Sequence, residues 1–88
     1  MKEKDITVVN KMGLHARPAA MLVQTAAKFS SSIKILKDDF EVDSKSIMGV
    51  MTLAAGPGST LKFTADGPDE SEALSAIEKL FIAGFMED

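Results

Sequence analysis

Apolar side chains recur along this chain with two different periods. In four segments they alternate with polar side chains, which predicts β-strands, because successive side chains of a strand point to opposite faces. In three other segments they recur every three or four positions, which predicts helices with one apolar face. The predicted strands are residues 6–9, 33–37, 40–43 and 60–65. The predicted helices are residues 16–29, residues 47–55 and a segment that follows Asp69 and reaches Gly84.

The order of these elements, β-α-β-β-α-β-α, predicts a small α/β (α+β) fold. Each strand has one apolar and one mostly polar face, so the three helices must cover a single face of the sheet. We therefore expect one domain, residues 1–88, built as an open-faced β-sandwich. A ferredoxin-like sheet uses a similar alternation of strands and helices, and periodicity does not decide between the two strand orders.

Three local signals mark the boundaries of elements. Asp38 and Asp39 have the length of a two-residue hairpin loop between the second and third strands. Ser46 precedes an apolar run, which predicts the N-cap of the short second helix. Asp69, with Glu72 three residues later, predicts a capping box at the start of the last helix.

The composition excludes several classes of protein. With 45% hydrophobic and 26% charged residues, the chain is expected to fold. It has no cysteine and one histidine, which excludes a disulfide scaffold and argues against a structural zinc site. A net charge of −3 argues against nucleic-acid binding, and neither a membrane span nor a secretory signal is expected. We expect a cytoplasmic protein that needs no metal and no cofactor.

The single histidine, His15, lies where the loop that ends in Leu14 meets the first helix. The N-terminus of a helix offers backbone N–H donors and the positive end of the helix dipole, so it favours phosphate. A neutral imidazole nitrogen is a nucleophile, and the guanidinium of Arg17 can pair with phosphate oxygens. Pro18 stiffens the first turn of the helix. The plainer interpretation of the same residues is a surface histidine at the end of a loop.

A second candidate is Ser46 with the residues that follow it. Helix capping alone explains Ser46, yet a phosphate added to its hydroxyl would also meet the positive end of a helix. Ile47, Met48 and Met51 lie on the same short helix. They fit either the core or an adaptable docking surface, because the flexible methionine side chain adjusts to different partners.

The segment GLHARPA at 13–19 resembles the active-site signature of the histidine-containing phosphocarrier (HPr) family of the bacterial phosphoenolpyruvate-dependent phosphotransferase system. The segment SKSIMGVM at 44–51 resembles the regulatory serine segment of the same family. The similarity extends over the length of the chain and the order of its elements. It implies a four-stranded antiparallel sheet in the order 1-4-2-3 with three helices on one face.

The resemblance also implies a function. His15 would accept a phosphoryl group at Nδ1 from phosphorylated enzyme I, forming pros-phosphohistidine, and would pass it to a IIA-type domain. The chain would be a stoichiometric carrier rather than a self-contained enzyme, with Arg17 steadying the phosphate. Ser46 would be the target of the ATP-dependent HPr kinase/phosphorylase, and a regulator would be a further partner. The residues that support the site would be Gly13, Leu14, Ala16 and Pro18.

We expect these partners to dock transiently on a modest surface beside His15, and the chain itself to be a monomer. The predicted docking patch consists of Ala20, Gln24, Ile47, Met48 and Met51. Leu14 and Ala16 are expected to extend its apolar part towards His15.

Two features separate the chain from parts of the family. Met12 stands where many members of the sugar branch carry a small polar residue. Residues 80–85 resemble the nitrogen-related branch, whereas the segment around Ser46 resembles the kinase-regulated branch. The alternative function is a regulatory or nitrogen-branch binding module that acts mainly through the phosphorylation state of Ser46. Regulatory relatives of that kind lack the active-site histidine, which this chain retains as His15.

Overall fold

The computed structural model describes residues 1–86, and these form four strands, three α-helices and a short 3-10 turn. The strands are β1 (Lys2–Thr7), β2 (Ser32–Lys37), β3 (Phe40–Asp43) and β4 (Thr60–Asp66). The helices are α1 (Ala16–Ala27), α2 (Ile47–Thr52) and α3 (Glu70–Ile82), and Gly84–Met86 is the 3-10 turn. The strand pairs are antiparallel, in the order β1-β4-β2-β3. The predicted fold class, element order and strand order are confirmed.

The alternating pattern of the strands places the core on one face of the sheet. Leu61, Phe63 and Ala65 of β4 are fully buried, whereas Lys62 between them is exposed. Helix α3 contributes Phe81, whose ring packs edge-on against Phe63 with the ring centroids 5.5 Å apart. The helices therefore cover the apolar face, and the opposite face carries the polar side chains, as the sequence predicts.

The first strand begins earlier than the sequence predicts. We expected residues 6–9, whereas β1 spans Lys2–Thr7 and pairs with β4 over its whole length. Residues 2–5 are exposed, so no hydrophobic period marks them, and backbone pairing at the edge of the sheet makes them a strand. Val8, which we expected to point inward from the strand, is buried just beyond its end.

Helices α1 and α2 end earlier than predicted, at Ala27 and Thr52. After each end, the next N–H groups bond to carbonyls three residues back: Lys28 donates to Thr25 and Leu53 donates to Val50. Such bonds tighten the last turn of a helix into a 3-10 turn. The apolar side chains keep a helix-like spacing through these residues, which is why the sequence predicts longer helices.

The predicted hairpin between β2 and β3 is present. Asp38 and Asp39 have φ angles of 49° and 69°, and Lys37 pairs with Phe40 across the turn. Positive φ at both central residues is typical of a type I′ turn, whose twist matches that of the flanking strands. Aspartate tolerates this conformation better than most residues, which explains a tight turn without glycine.

The predicted capping box at the start of α3 is wrong. Asp69 occupies the N-cap position, but its side chain makes no cap hydrogen bond. Its carboxylate instead accepts hydrogen bonds from the backbone N–H groups of Ser30 and Ser31, both at 2.9 Å, and from the Ser31 hydroxyl. These bonds attach the start of α3 to the turn between α1 and β2. Ser30 and Ser31 therefore bind the carboxylate that the sequence pattern predicts as the cap of α3. Glu72, the other residue of the predicted capping box, is exposed.

Candidate functional site

His15 is the N-cap of α1. Its backbone is extended, with φ −79° and ψ −171°, and its carbonyl accepts a hydrogen bond from the N–H of Ala19 at 3.0 Å. Its side chain makes no cap hydrogen bond and is half-buried. The position predicted for the histidine is therefore correct, and the imidazole is not occupied in capping its own helix.

The start of α1 has the features of an anion site. The first N–H groups of a helix have no acceptor within it, and they lie at the positive end of the helix dipole. No acidic side chain lies in the first turn of α1. Arg17 is exposed in that turn and has no ion pair within residues 1–86. The buried Pro18 follows, and its ring has no N–H that would need an acceptor. Both the backbone and Arg17 thus favour an anion beside His15.

The loop before His15 is held against the loop that follows α2. Gly13 has a φ of +66°, and a Cβ atom there would lie 2.4 Å from the carbonyl oxygen of Ala55. The same carbonyl accepts a hydrogen bond from the N–H of Leu14 at 2.8 Å. Only glycine combines that conformation with that close approach. The conformation of Gly13 and its contact with Ala55 therefore restrain the backbone that leads to His15.

Asn10 also binds this loop, although nothing in the sequence pattern identified it. Its side-chain amide N–H donates to the backbone carbonyl of Gly13 at 2.6 Å, and the backbone carbonyl of Asn10 accepts from the N–H of Gly13 at 3.2 Å. Asn10 is only 5% exposed. The available signal is an asparagine three residues before a glycine, which is typical of a side chain that closes a turn.

Ser46 is the N-cap of α2, as the sequence predicts. Its Oγ accepts a hydrogen bond from the N–H of Gly49 at 3.1 Å, and its own N–H donates to the carbonyl of Asp43 at 3.0 Å. Ser46 is exposed, so its hydroxyl is open to modification. The neighbouring Lys45 points elsewhere, because its ammonium group donates to the carbonyl of Phe29 at 2.8 Å, just beyond the end of α1.

The predicted docking patch lies on two helices that pack against each other, α1 and α2. On α2, Ile47, Met48 and Met51 are 39%, 76% and 45% exposed, so all three are surface residues rather than core residues. On α1, Gln24 is exposed and Ala20 is half-buried. The five predicted residues therefore lie on two helices that are in contact, and four of the five are exposed, while docking on them stays a prediction.

Leu14 does not belong to that surface, contrary to our expectation. It is 5% exposed and packs in the hydrophobic core, because its N–H bond to Ala55 turns the residue inward. Ala16 is exposed, as a docking residue must be. Met12 is also exposed, so the position that is polar in many relatives presents an apolar side chain here.

The part of the chain that the structure describes offers neither a membrane span nor a metal centre. Within residues 1–86 no helix combines the length and the hydropathy that a membrane crossing requires. In the same residues, no three histidine, cysteine, aspartate or glutamate side chains lie together as metal ligands would. The chemistry available at the site is that of an imidazole beside backbone N–H groups and a guanidinium.

Comparison with known proteins adds family relationships to this geometry. Residues 2–83 match the family model described as the PTS HPr component phosphorylation site. The chain is 52% identical over 88 residues to the phosphocarrier protein HPr of Treponema pallidum, with all of both chains covered.

Solved structures agree with that match. The crystal structure of HPr-C-His from Thermoanaerobacter tengcongensis superposes with a TM-score of 0.97 at 51% identity, covering 100% of this chain and 99% of that one. A crystal structure described as an HPr dimer from the same organism gives a TM-score of 0.80 at 52% identity, covering 99% and 100%. Both the sequence and the fold are thus similar to those of HPr proteins over the whole length.

Proposed function

Because the chain belongs to the HPr family of phosphocarrier proteins, we propose that His15 is the residue on which it carries the phosphoryl group. In this proposal phosphorylated enzyme I is the donor, and a IIA-type domain is the acceptor. The observation that carries the proposal is the position of the only imidazole at the N-terminus of α1, with no cap hydrogen bond from its ring.

Acceptance of the group is a simple displacement at phosphorus. The lone pair of Nδ1 of His15 attacks the phosphorus atom held by enzyme I, and a new N–P bond forms. The bond between phosphorus and the donor group of enzyme I breaks, and its electron pair returns to that group. The proton on Nε2 stays in place. Delivery repeats the step in the other direction: the acceptor group of the IIA-type domain attacks phosphorus, and the electron pair of the N–P bond returns to Nδ1.

Arg17 stabilises the phosphorylated state in this proposal. Its guanidinium has no ion pair within residues 1–86, so no bond there must break when it turns to the phosphate oxygens. The N–H groups of the first turn of α1 add the positive end of the dipole. Each step exchanges one bond to phosphorus for another, so neither step changes an oxidation state or needs a redox cofactor. The protein is a stoichiometric carrier, and it acts in the cytoplasm, where phosphoenolpyruvate is the source of the group.

The test follows one labelled phosphoryl group through both steps. The purified chain is incubated with enzyme I and phosphoenolpyruvate that carries labelled phosphate, is separated, and is then mixed with a IIA-type domain. We expect one acid-labile label per chain, which leaves the chain when the acceptor is added. A label that never enters the chain, or that enters and cannot be delivered, would contradict the carrier function.

A second function is favoured by the surroundings of Ser46. The hydroxyl is exposed at the N-terminus of α2, and exposed Ile47, Met48 and Met51 follow it. We propose that HPr kinase/phosphorylase modifies Ser46 and that the phosphate regulates docking of enzyme I or of a regulator on this patch. Incubation with that kinase and ATP should give one acid-stable phosphate that is absent from Ser46→Ala. An equal acid-stable label on Ser46→Ala would contradict the assignment.

We also propose that the chain acts as a monomer, since docking of successive partners needs a free patch. The dimer seen for one relative is a property of that protein. Light scattering at several concentrations distinguishes the two states, and a constant dimer mass would contradict a monomeric carrier.

A further inference from the structure

The segment that enters His15 depends on one buried side chain. Val8 is fixed to the loop after α2, because its N–H donates to the carbonyl of Ser59 and its carbonyl accepts from the N–H of Gly58, both at 2.8 Å. Between Val8 and Leu14, the side chains of residues 9, 11 and 12 are exposed. Gly13 has no side chain, so Asn10 supplies the one buried side chain of this stretch.

Asn10 acts on a particular peptide group. The peptide that joins Gly13 to Leu14 is held at both of its polar atoms. Its carbonyl oxygen accepts from the side-chain amide of Asn10 at 2.6 Å, and its N–H donates to the carbonyl of Ala55 at 2.8 Å. With both ends fixed, the peptide plane cannot rotate about the chain axis without breaking a buried hydrogen bond.

This peptide lies one residue before His15. Rotation of this peptide plane would displace the backbone of Leu14. It would also displace the N-cap residue His15, because Leu14 alone connects the peptide to His15 along the chain. The imidazole would then move relative to the first N–H groups of α1, where the transferred phosphate must be received. Reaction geometry of this kind tolerates little displacement, and a shift of about 1 Å costs up to about a hundredfold in rate.

We propose that Asn10 is a positioning residue for phosphoryl transfer: its side-chain amide fixes the Gly13–Leu14 peptide and thereby the place of His15 at the start of α1. The proposal rests on the function proposed for His15. Asn10 does not touch the phosphoryl group, and it lies outside the docking patch, which is formed by α1 and α2. Its loss therefore affects the rate of transfer within the complex and leaves the docking of enzyme I unchanged.

The test compares two variants with a matched control in the same turn. Asn10→Ala removes the donor. Asn10→Ser keeps a small polar side chain suited to turns, but it is one bond too short to reach the carbonyl of Gly13. Lys11→Ala is the control, because Lys11 is exposed in the same turn and makes no hydrogen bond within residues 1–86. The wild type and each variant are phosphorylated by enzyme I and phosphoenolpyruvate over a range of substrate-chain concentrations, which gives kcat and KM. Amide NMR spectra show which variants are folded.

We expect kcat for phosphorylation of His15 to fall by about tenfold to a hundredfold in both Asn10 variants, with KM unchanged. Lys11→Ala should keep the wild-type values. A wild-type kcat in either folded Asn10 variant would overturn the proposal, and so would a loss that appears only in KM. If both Asn10 variants unfold where Lys11→Ala is folded, Asn10 serves the fold as a whole, which also overturns it. Failure of the wild-type chain to accept phosphate would contradict the function proposed for His15 instead.

Discussion

Helices α1 and α2 begin with N-caps of the same backbone class and different side-chain use. His15 and Ser46 both have extended backbones, and each follows a loop or turn that enters its helix. The Ser46 hydroxyl accepts from the N–H of Gly49 at 3.1 Å, whereas the His15 ring makes no cap hydrogen bond. One side chain satisfies the helix that it begins, and the other leaves those N–H groups to another acceptor.

This difference separates a structural cap from a chemical one. A side chain that caps its helix stabilises the fold by about 1 kcal/mol, so its removal lowers the free energy of unfolding. Removing a side chain that stands at the same position without capping breaks no cap hydrogen bond, so we expect the main effect of its removal on the chemistry. The comparison therefore predicts opposite outcomes for the same substitution at His15 and at Ser46.

The largest effect is expected for His15→Ala. Phosphate uptake from enzyme I should be abolished, because no other imidazole is present in the chain. The free energy of unfolding should change by less than about 0.5 kcal/mol, since no cap hydrogen bond is lost. Acid-labile labelling and denaturant unfolding measure the two quantities on the same sample. Undiminished labelling would remove His15 from the mechanism, and a large loss of stability would remove the distinction between the two caps.

Substitution of Arg17 should give the next largest effect. Arg17→Glu places an anion where the phosphate must be received, and transfer should slow by at least about a hundredfold, or roughly 3 kcal/mol. Arg17→Lys keeps the charge without the bidentate fork and should be intermediate. Single-turnover rates with phosphorylated enzyme I provide the measurement. Equal rates for the wild type and Arg17→Glu would show that the guanidinium does not act on the phosphate.

At Ser46 the two functions can be separated by the choice of substitution. Ser46→Asp puts a charge beside the apolar docking patch and should weaken binding of enzyme I by about tenfold, or ~1.4 kcal/mol. Ser46→Ala removes only the cap and should lower the free energy of unfolding by about 1 kcal/mol with binding retained. Calorimetric titration and denaturant unfolding measure these effects. Identical affinities for the wild type and Ser46→Asp would reduce Ser46 to a helix cap.

The smallest effect concerns the third helix start, where Asp69 serves a neighbouring turn. Hydrogen bonds from the Ser31 hydroxyl and from the backbone of Ser30 hold the pKa of the Asp69 carboxyl below its usual value. Because the pKa of this carboxyl is lower in the folded state, the ionised carboxylate stabilises the fold at pH values above its usual pKa of 3.8. This contribution is lost as the pH falls through the lowered pKa.

Asp69→Asn should therefore lower the Tm at neutral pH by a few degrees, and the difference from the wild type should shrink in acid. Glu72→Gln is the matched control, since Glu72 is exposed in the first turn of the same helix. Thermal unfolding at several pH values measures both. A difference between Asp69→Asn and the wild type that does not change with pH would show that ionisation of Asp69 is not involved.

The inward side chains of the strands could be predicted because alternation reports burial directly. Leu61, Phe63 and Ala65 are buried as the pattern requires. Residues 2–5 could not be predicted as a strand, because both of their faces are exposed and only the backbone of β4 makes them regular. The positions of His15 and Ser46 at helix starts followed from local signals, which depend on few neighbours.

The parts of the site that could not be predicted depend on contacts between distant segments. Leu14 has the apolar character of a docking residue, but its bond to the carbonyl of Ala55 turns it into the core. Asn10 shows no pattern until its turn is formed and its amide meets Gly13. The sequence pattern predicts that the carboxylate of Asp69 caps its own helix, but it accepts hydrogen bonds from Ser30 and Ser31, which are distant in sequence. In each case the side chain's place depends on a partner that is distant in sequence or that comes within reach only when the turn has folded.

Phosphoryl transfer to His15 is tested most sharply by identifying the atom that receives the phosphate. The chain is labelled with ¹⁵N at its single histidine, is phosphorylated by enzyme I and phosphoenolpyruvate, and is then examined by NMR correlation of nitrogen with phosphorus. We expect a single phosphoryl group bonded to Nδ1 of His15, which acid removes. A phosphate on Nε2, a phosphate that survives acid as a hydroxyl ester, or no phosphate at all would contradict it.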